Sequence, residues 1–237
     1  MNKIEIGNIT VDVFHKKIKN LHLAVQPPEG RVRIASPLRV KDEAIRLFVT
    51  SKLPWIKRQQ KKFREQERET EREFLSRESH YFFGKRYLLN VIEHDGPPGV
   101  ILKKNTIDMY VRQGTTTEKR KIIMNEWYRK EIKKVIPELL EKWEKITGVS
   151  ASQWRVKLMK TRWGTCNIKS KRIWFNLELA KKPVYCLEYI IVHELVHLLE
   201  RHHNENFVKL MEQFMPQWNK YKEELNRLPA GYAGWDD

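Results

Sequence analysis

The chain has 237 residues, is 41% hydrophobic and carries a formal net charge of +16. That is long enough to bury a sizeable core, and the two cysteines, Cys166 and Cys186, are too few for a disulfide scaffold. No stretch reaches the roughly 18 uncharged apolar residues of a membrane span, and Met1 to Thr10 lack the pattern of a secretory leader, so a cytoplasmic, non-membrane protein is expected.

Residues 3–39 alternate short β-type runs with turn signals, Ile4 to Phe14, Leu21 to Gln26 and Arg31 to Ala35, and read as a small antiparallel sheet. From about Lys41 the period becomes helical, with Ile45, Phe48, Val49, Leu53 and Ile56 on one side and Pro54 marking a new helix start. Lys57 to Ser79 is dense in charge of both signs and has almost no apolar face, which fits a solvated helix or linker at a boundary.

Strand signals return at Tyr81 to Val91 and Ile107 to Arg112. Thr117 is placed to cap a helix that runs to about Thr147, interrupted near Pro137 and stopped by Gly148. Trp154 to Lys160 and Arg172 to Leu179 read as two strands, with a turn at Thr161 to Asn167 and a hairpin closed by Lys169, Ser170 and Lys171.

The run from Tyr189 to Leu199 is apolar except for His193, Glu194 and His197. Histidines four residues apart on a helix are rotated by only about 40° and lie one turn apart, so both imidazoles can face one ion. Glu194, about 100° round from His193, can reach a water on that ion without binding the ion itself. Three buried polar groups would each cost a few kcal/mol unpaired, and a shared metal accounts for all three.

A catalytic zinc takes three protein ligands, and the downstream candidates are Glu200, His202, His203, Glu205 and Glu212. On an unbroken helix His203 would be rotated about 240° away from His197. The polar cluster Arg201 to Asn204, with Asn204 a good N-cap for a following amphipathic helix, predicts a break that swings His203 back and leaves His202 outside. Arg162 is a candidate partner for a developing oxyanion. Trp163 and Asn176 are further substrate-side candidates, Asn176 because it alternates with Phe175 and Leu177, and Arg172 to Leu179 is the expected platform for an extended peptide. Cys166 is expected near the site without binding the metal, and Cys186 as a packed core residue.

Met159-Lys160-Thr161-Arg162-Trp163-Gly164-Thr165-Cys166-Asn167, the Asn176 to Ala180 run, the HELVH helix, His203, Phe207 and Met215-Pro216-Gln217-Trp218 together resemble the YgjP-like metal-dependent hydrolases, which are related to SprT-like zinc metalloproteases. The resemblance is dense over about Trp154 to Asn226, with Thr165 where the family often has Ser. It implies His193, His197 and His203 as ligands of one zinc per chain, and Glu194 as the catalytic carboxylate. It also implies an α+β fold: an N-terminal β-rich region with a charged helix over 1–79, then a zincin-like unit over 80–237, core 154–226, with the HExxH helix and an antiparallel strand pair. The expected activity is peptide hydrolysis. The alternatives are a nucleotide pyrophosphatase acting on UTP, as described for members of that family, and a nucleic-acid-associated SprT-like protease, to which the basic charge would contribute.

Overall fold

The computed structural model describes residues 2–26, 30–65, 72–159 and 162–227. The chain is mixed α+β and divides into two compact units, Met1–Arg68 and Glu69–Asp237.

In the first unit, β1 (Asn2–Ile6), β2 (Ile9–Lys16), β3 (His22–Gln26) and β4 (Arg31–Pro37) form a sheet of order β1-β2-β4-β3. This sheet is mixed, which corrects the all-antiparallel expectation. β1 and β3 run antiparallel to their neighbours, but β4 inserts between β3 and β2 and lies parallel to β2. Two helices follow, α1 (Asp42–Ser51) and α2 (Leu53–Glu65), with Pro54 in the first turn of α2, where its missing N–H is no loss. Val11, Val13, Val32 and Ile34 from the sheet pack with Ile45, Val49 and Ile56 from the helices. Residues 66–71 of the charged stretch lie outside the described residues, and Phe74 already packs in the core of the second unit. The expected boundary at 79 thus compares with a division at 68/69.

The second unit begins with a mixed sheet of order β5-β6-β8-β7, formed by β5 (Ser79–Phe82), β6 (Lys85–Glu93), β7 (Gly99–Leu102) and β8 (Thr106–Val111). Helix α3 (Thr117–Thr147) is capped by the hydroxyl of Thr116, one residue earlier than expected, which accepts the Lys119 N–H. It runs unbroken through Pro137, because Ile132, Ile136, Leu140 and Trp143 bury on both sides of the proline and offset its cost of about 3 kcal/mol. Gly148, at φ 72°, ends the helix in the left-handed conformation that glycine adopts without strain.

The strands ahead of the histidine-bearing helix differ from the expected pair. β9 (Gln153–Lys157), β10 (Gly164–Asn167) and β11 (Arg172–Asn176) form a sheet of order β10-β11-β9. The antiparallel hairpin joins β10 to β11, so the second half of the expected turn at 161–167 is a strand, and β9 lies parallel to β11. Beyond Asn176 the chain winds into a 3₁₀ turn, Leu177–Lys181.

Helix α4 (Val184–Val196) is followed by α5 (Glu205–Phe214) and α6 (Trp218–Arg227). A helix that is apolar all round needs cover on every side. α4 obtains it from α3, α5, α6, β10 and the 3₁₀ turn, and every residue from Tyr189 to Val196 is buried. Among the described residues no helix is long and apolar enough to cross a membrane.

Candidate metal centre

α4 presents His193 and His197 on one face with ring centroids 4.8 Å apart. The helix then tightens and ends. Leu198 and Leu199 donate to carbonyls three residues back (2.9 Å each), the tightening typical of a helix end. Glu200 clamps the turn: its carboxylate accepts the backbone N–H of His202 (3.1 Å) and the amide of Asn206 (3.4 Å). These donors, the His202 N–H first, hold its carboxyl below the usual value. Asn204 caps α5 by accepting the Phe207 N–H at 3.0 Å.

This reversal brings His203 back over α4, with its Nε2 3.1 Å from the Nε2 of His193 and 3.1 Å from that of His197. Three imidazoles meeting through the same nitrogen have no good pairing of donors and acceptors among themselves, but they suit a shared cation. Zinc–nitrogen bonds of about 2.0–2.1 Å at tetrahedral angles space such nitrogens by about 3.3 Å, so the donor set fits. His197 Nδ1 lies 3.2 Å from the carbonyl of Glu200. A carbonyl only accepts, so the proton of His197 sits on Nδ1 and its Nε2 lone pair faces the centre. Burial, then the neighbouring His197 and His203, pushes the pKa of His193 well below its ordinary value, which keeps it in the neutral form a ligand requires.

Of the five downstream ligand candidates, only His203 joins His193 and His197. His202 is exposed. Replacing His203 with Ala is expected to reduce retained metal at least tenfold after dialysis, with His202→Ala near the parent value. Metal analysis of the two purified variants checks this, and the reverse result would put the break one residue out of place.

Phe207, 2% exposed, was legible in the sequence as part of an apolar stripe and of the family resemblance, with no role at the site assigned to it. Its ring touches all three imidazoles, at centroid distances of 5.0, 4.9 and 4.5 Å from His193, His197 and His203. It forms an apolar backing that fixes their planes.

Glu194 is 1% exposed and lies against β10. The contact is close enough that a Cβ built on Gly164 would come within 2.9 Å of both Cγ and Cδ of Glu194. Cys166, two residues along β10, has its thiol pushed up to about 12, chiefly by burial and then by the charge of Glu194. It is therefore a protonated neighbour of the carboxylate.

The substrate-side candidates separate. Arg162 is exposed. Trp163 is 2% exposed and packs in the core with Lys182 Nζ 5.8 Å from its ring centroid. Asn176 does not face a cleft: it is fully buried and all its hydrogen bonds go to backbone. Its Oδ1 accepts from the N–H of Met159 and of Glu178 (3.2 Å each), and its Nδ2 donates to the carbonyls of Met159 (3.0 Å) and Arg162 (2.7 Å). Strand alternation fails there because β11 ends at Asn176, whose side chain caps the 3₁₀ turn and ties down the segment entering β10.

The family described as YgjP-like, metallopeptidase domain, matches residues 19–228. No curated protein matches the chain. Among solved structures it is similar to the metallopeptidase zymogen of Pyrococcus abyssi, abylysin, at 21% identity and a TM-score of 0.36, covering 38% of this chain and 90% of that one. With the family matched over nearly the whole length, the chain belongs to the YgjP-like family of metallopeptidase domains.

Proposed function

We propose that this metal-dependent hydrolase is a zinc peptidase in which His193, His197 and His203 hold the ion and Glu194 is the general base. The observation that carries the reading is the convergence of three Nε2 atoms beside a buried glutamate on the same helix. When bound, zinc supplies a Lewis acid for the attacking water and the scissile carbonyl. The Glu194 carboxylate takes the proton of that water and returns it to the departing amine. The protonated Nδ1 of His197 and the ring of Phe207 keep the ligands in register, and exposed Arg162 is our candidate for the oxyanion partner.

Arg172 to Leu179 cannot serve as the substrate platform as first expected, since β11 has neighbours on both edges. β10 is an outer strand of the same sheet and packs on α4 beside Glu194, so an extended peptide pairing with β10 would pass next to the base. The test is to offer metal-replete protein a panel of unfolded proteins and nucleoside triphosphates, with Glu194→Gln as control. Cleavage of protein that is lost in the variant is the expected result. Pyrophosphate release from UTP with no proteolysis would replace the peptidase reading by that of a nucleotide hydrolase.

A further inference from the structure

The stretch from Ser150 to Asn176, which folds into the β10-β11-β9 sheet, carries seven Lys or Arg residues and no Asp or Glu. In a chain with 30 acidic residues, a run of this length without one carries a strong positive charge of its own, and the Glu144 carboxylate of α3 meets it at the Ala151 N–H. Strand alternation sorts the sheet into two faces. Val156, Ile173 and Phe175 point into the core, while Arg155, Lys157 and Arg172 are exposed on the other side with Trp174 half-buried among them.

Register sets Trp174 directly opposite Arg155 on β9 and Thr165 on β10. The Arg155 guanidinium carbon lies 5.6 Å from the Trp174 ring centroid and Lys157 Nζ lies 5.0 Å from it. Among the described residues, none of Arg155, Lys157 and Arg172 forms an ion pair. The face therefore combines an aromatic ring with two cations held over it and a third, Arg172, on its own strand, and among the described residues no acidic side chain pairs with any of the three. Cations two apart on one strand stand on the order of 6.7 Å from each other, a spacing that repels unless an anion lies between them.

We propose that this face binds single-stranded nucleic acid, with Trp174 as a stacking platform and Arg155, Lys157 and Arg172 as phosphate contacts. The ring decides among polyanions. An acidic polypeptide offers charge but nothing to stack, a duplex keeps its bases inside its own stack, and a single strand offers both a phosphate row and free base faces. The cations are spread along two strands, which suits a polymer better than one convergent triphosphate. This inference is independent of the hydrolytic reading.

The test is fluorescence anisotropy of a labelled oligothymidylate of about 12 nucleotides with the full-length, metal-loaded protein over a range of salt. Each single-strand phosphate contact contributes about −0.7 to the slope of log affinity against log salt. Arg155→Gln with Lys157→Gln is expected to make the slope shallower by about 1.4. Trp174→Ala is expected to weaken binding roughly tenfold with the slope unchanged, and Trp174→Phe, which keeps a ring, to stay within a few-fold of the parent. If Trp174→Ala fails to fold, Trp174→Phe and the paired Gln variant carry the decision. Lys17→Gln with Lys19→Gln, the same charge change on the first unit, is the matched control. The proposal is overturned by an equal effect of that control, or by polyglutamate, duplex or free nucleotide competing as well as the single strand.

Discussion

Glu194→Gln is expected to lower turnover by about 10²–10⁴-fold while metal content stays at the parent level, since the substitution removes the proposed base and keeps the three proposed ligands. Gln is nearly isosteric, and at 1% exposure the site has no room for a larger rearrangement. A buried carboxylate exchanged for a neutral amide of the same shape leaves folding within about 1 kcal/mol of the parent when its partners are still met. Turnover, bound metal and the thermal midpoint, measured on one preparation, check the three parts separately. Undiminished turnover at full metal occupancy would reject Glu194 as the base, and loss of metal would make it a ligand.

The second large effect belongs to a residue without a functional group. Gly164→Ala places a methyl within 2.9 Å of Cγ and Cδ of Glu194, closer than real Cβ contacts come, and β10 is held to β11 by four paired positions from Gly164 to Asn167. Neither side can give freely. Overpacking of this kind typically costs about 1–3 kcal/mol, and moving the carboxylate by about 1 Å reduces turnover on the order of 10²-fold. A stability cycle with Glu194→Ala isolates the cause. The methyl should destabilise the chain when Glu194 is present and be neutral or slightly stabilising when residue 194 is Ala, because Gly164 is not among the glycines at positive φ. Equal costs in the two backgrounds would mean that Gly164 acts on the strand and not on the base.

What could be read ahead of the structure was local chemistry. The break after α4 and the Asn204 cap follow from a polar cluster placed at the end of an apolar run, and the turn of His203 toward α4 follows from the break. Strand partnership was not local. Trp163-Gly164 carries a turn signal, yet Gly164 starts a strand because its missing side chain lets β10 lie on Glu194, and only the folded neighbour reveals that need. Nothing within residues 153–157 states that their partner is β11 in parallel, a pairing made after the chain has passed through β10. Asn176 was misplaced for a related reason: alternation extrapolates a strand past the residue at which the backbone leaves it. Pro137 marked an interruption that packing on both sides overrides.

With the proposed ion in place, the break after α4 would also tie folding to the supply of metal. His193 and His197 come from one helix and His203 from the turn that launches the next, so an ion held by all three closes a joint that otherwise rests on the Glu200 and Asn204 hydrogen bonds. By mass action, an ion at 100 times its dissociation constant adds about 2.7 kcal/mol to the folded state, and each tenfold fall in free ion removes about 1.4 of it until the site empties. The same three side chains proposed to set up hydrolysis would thus make the lifetime of α5 in place a readout of metal availability.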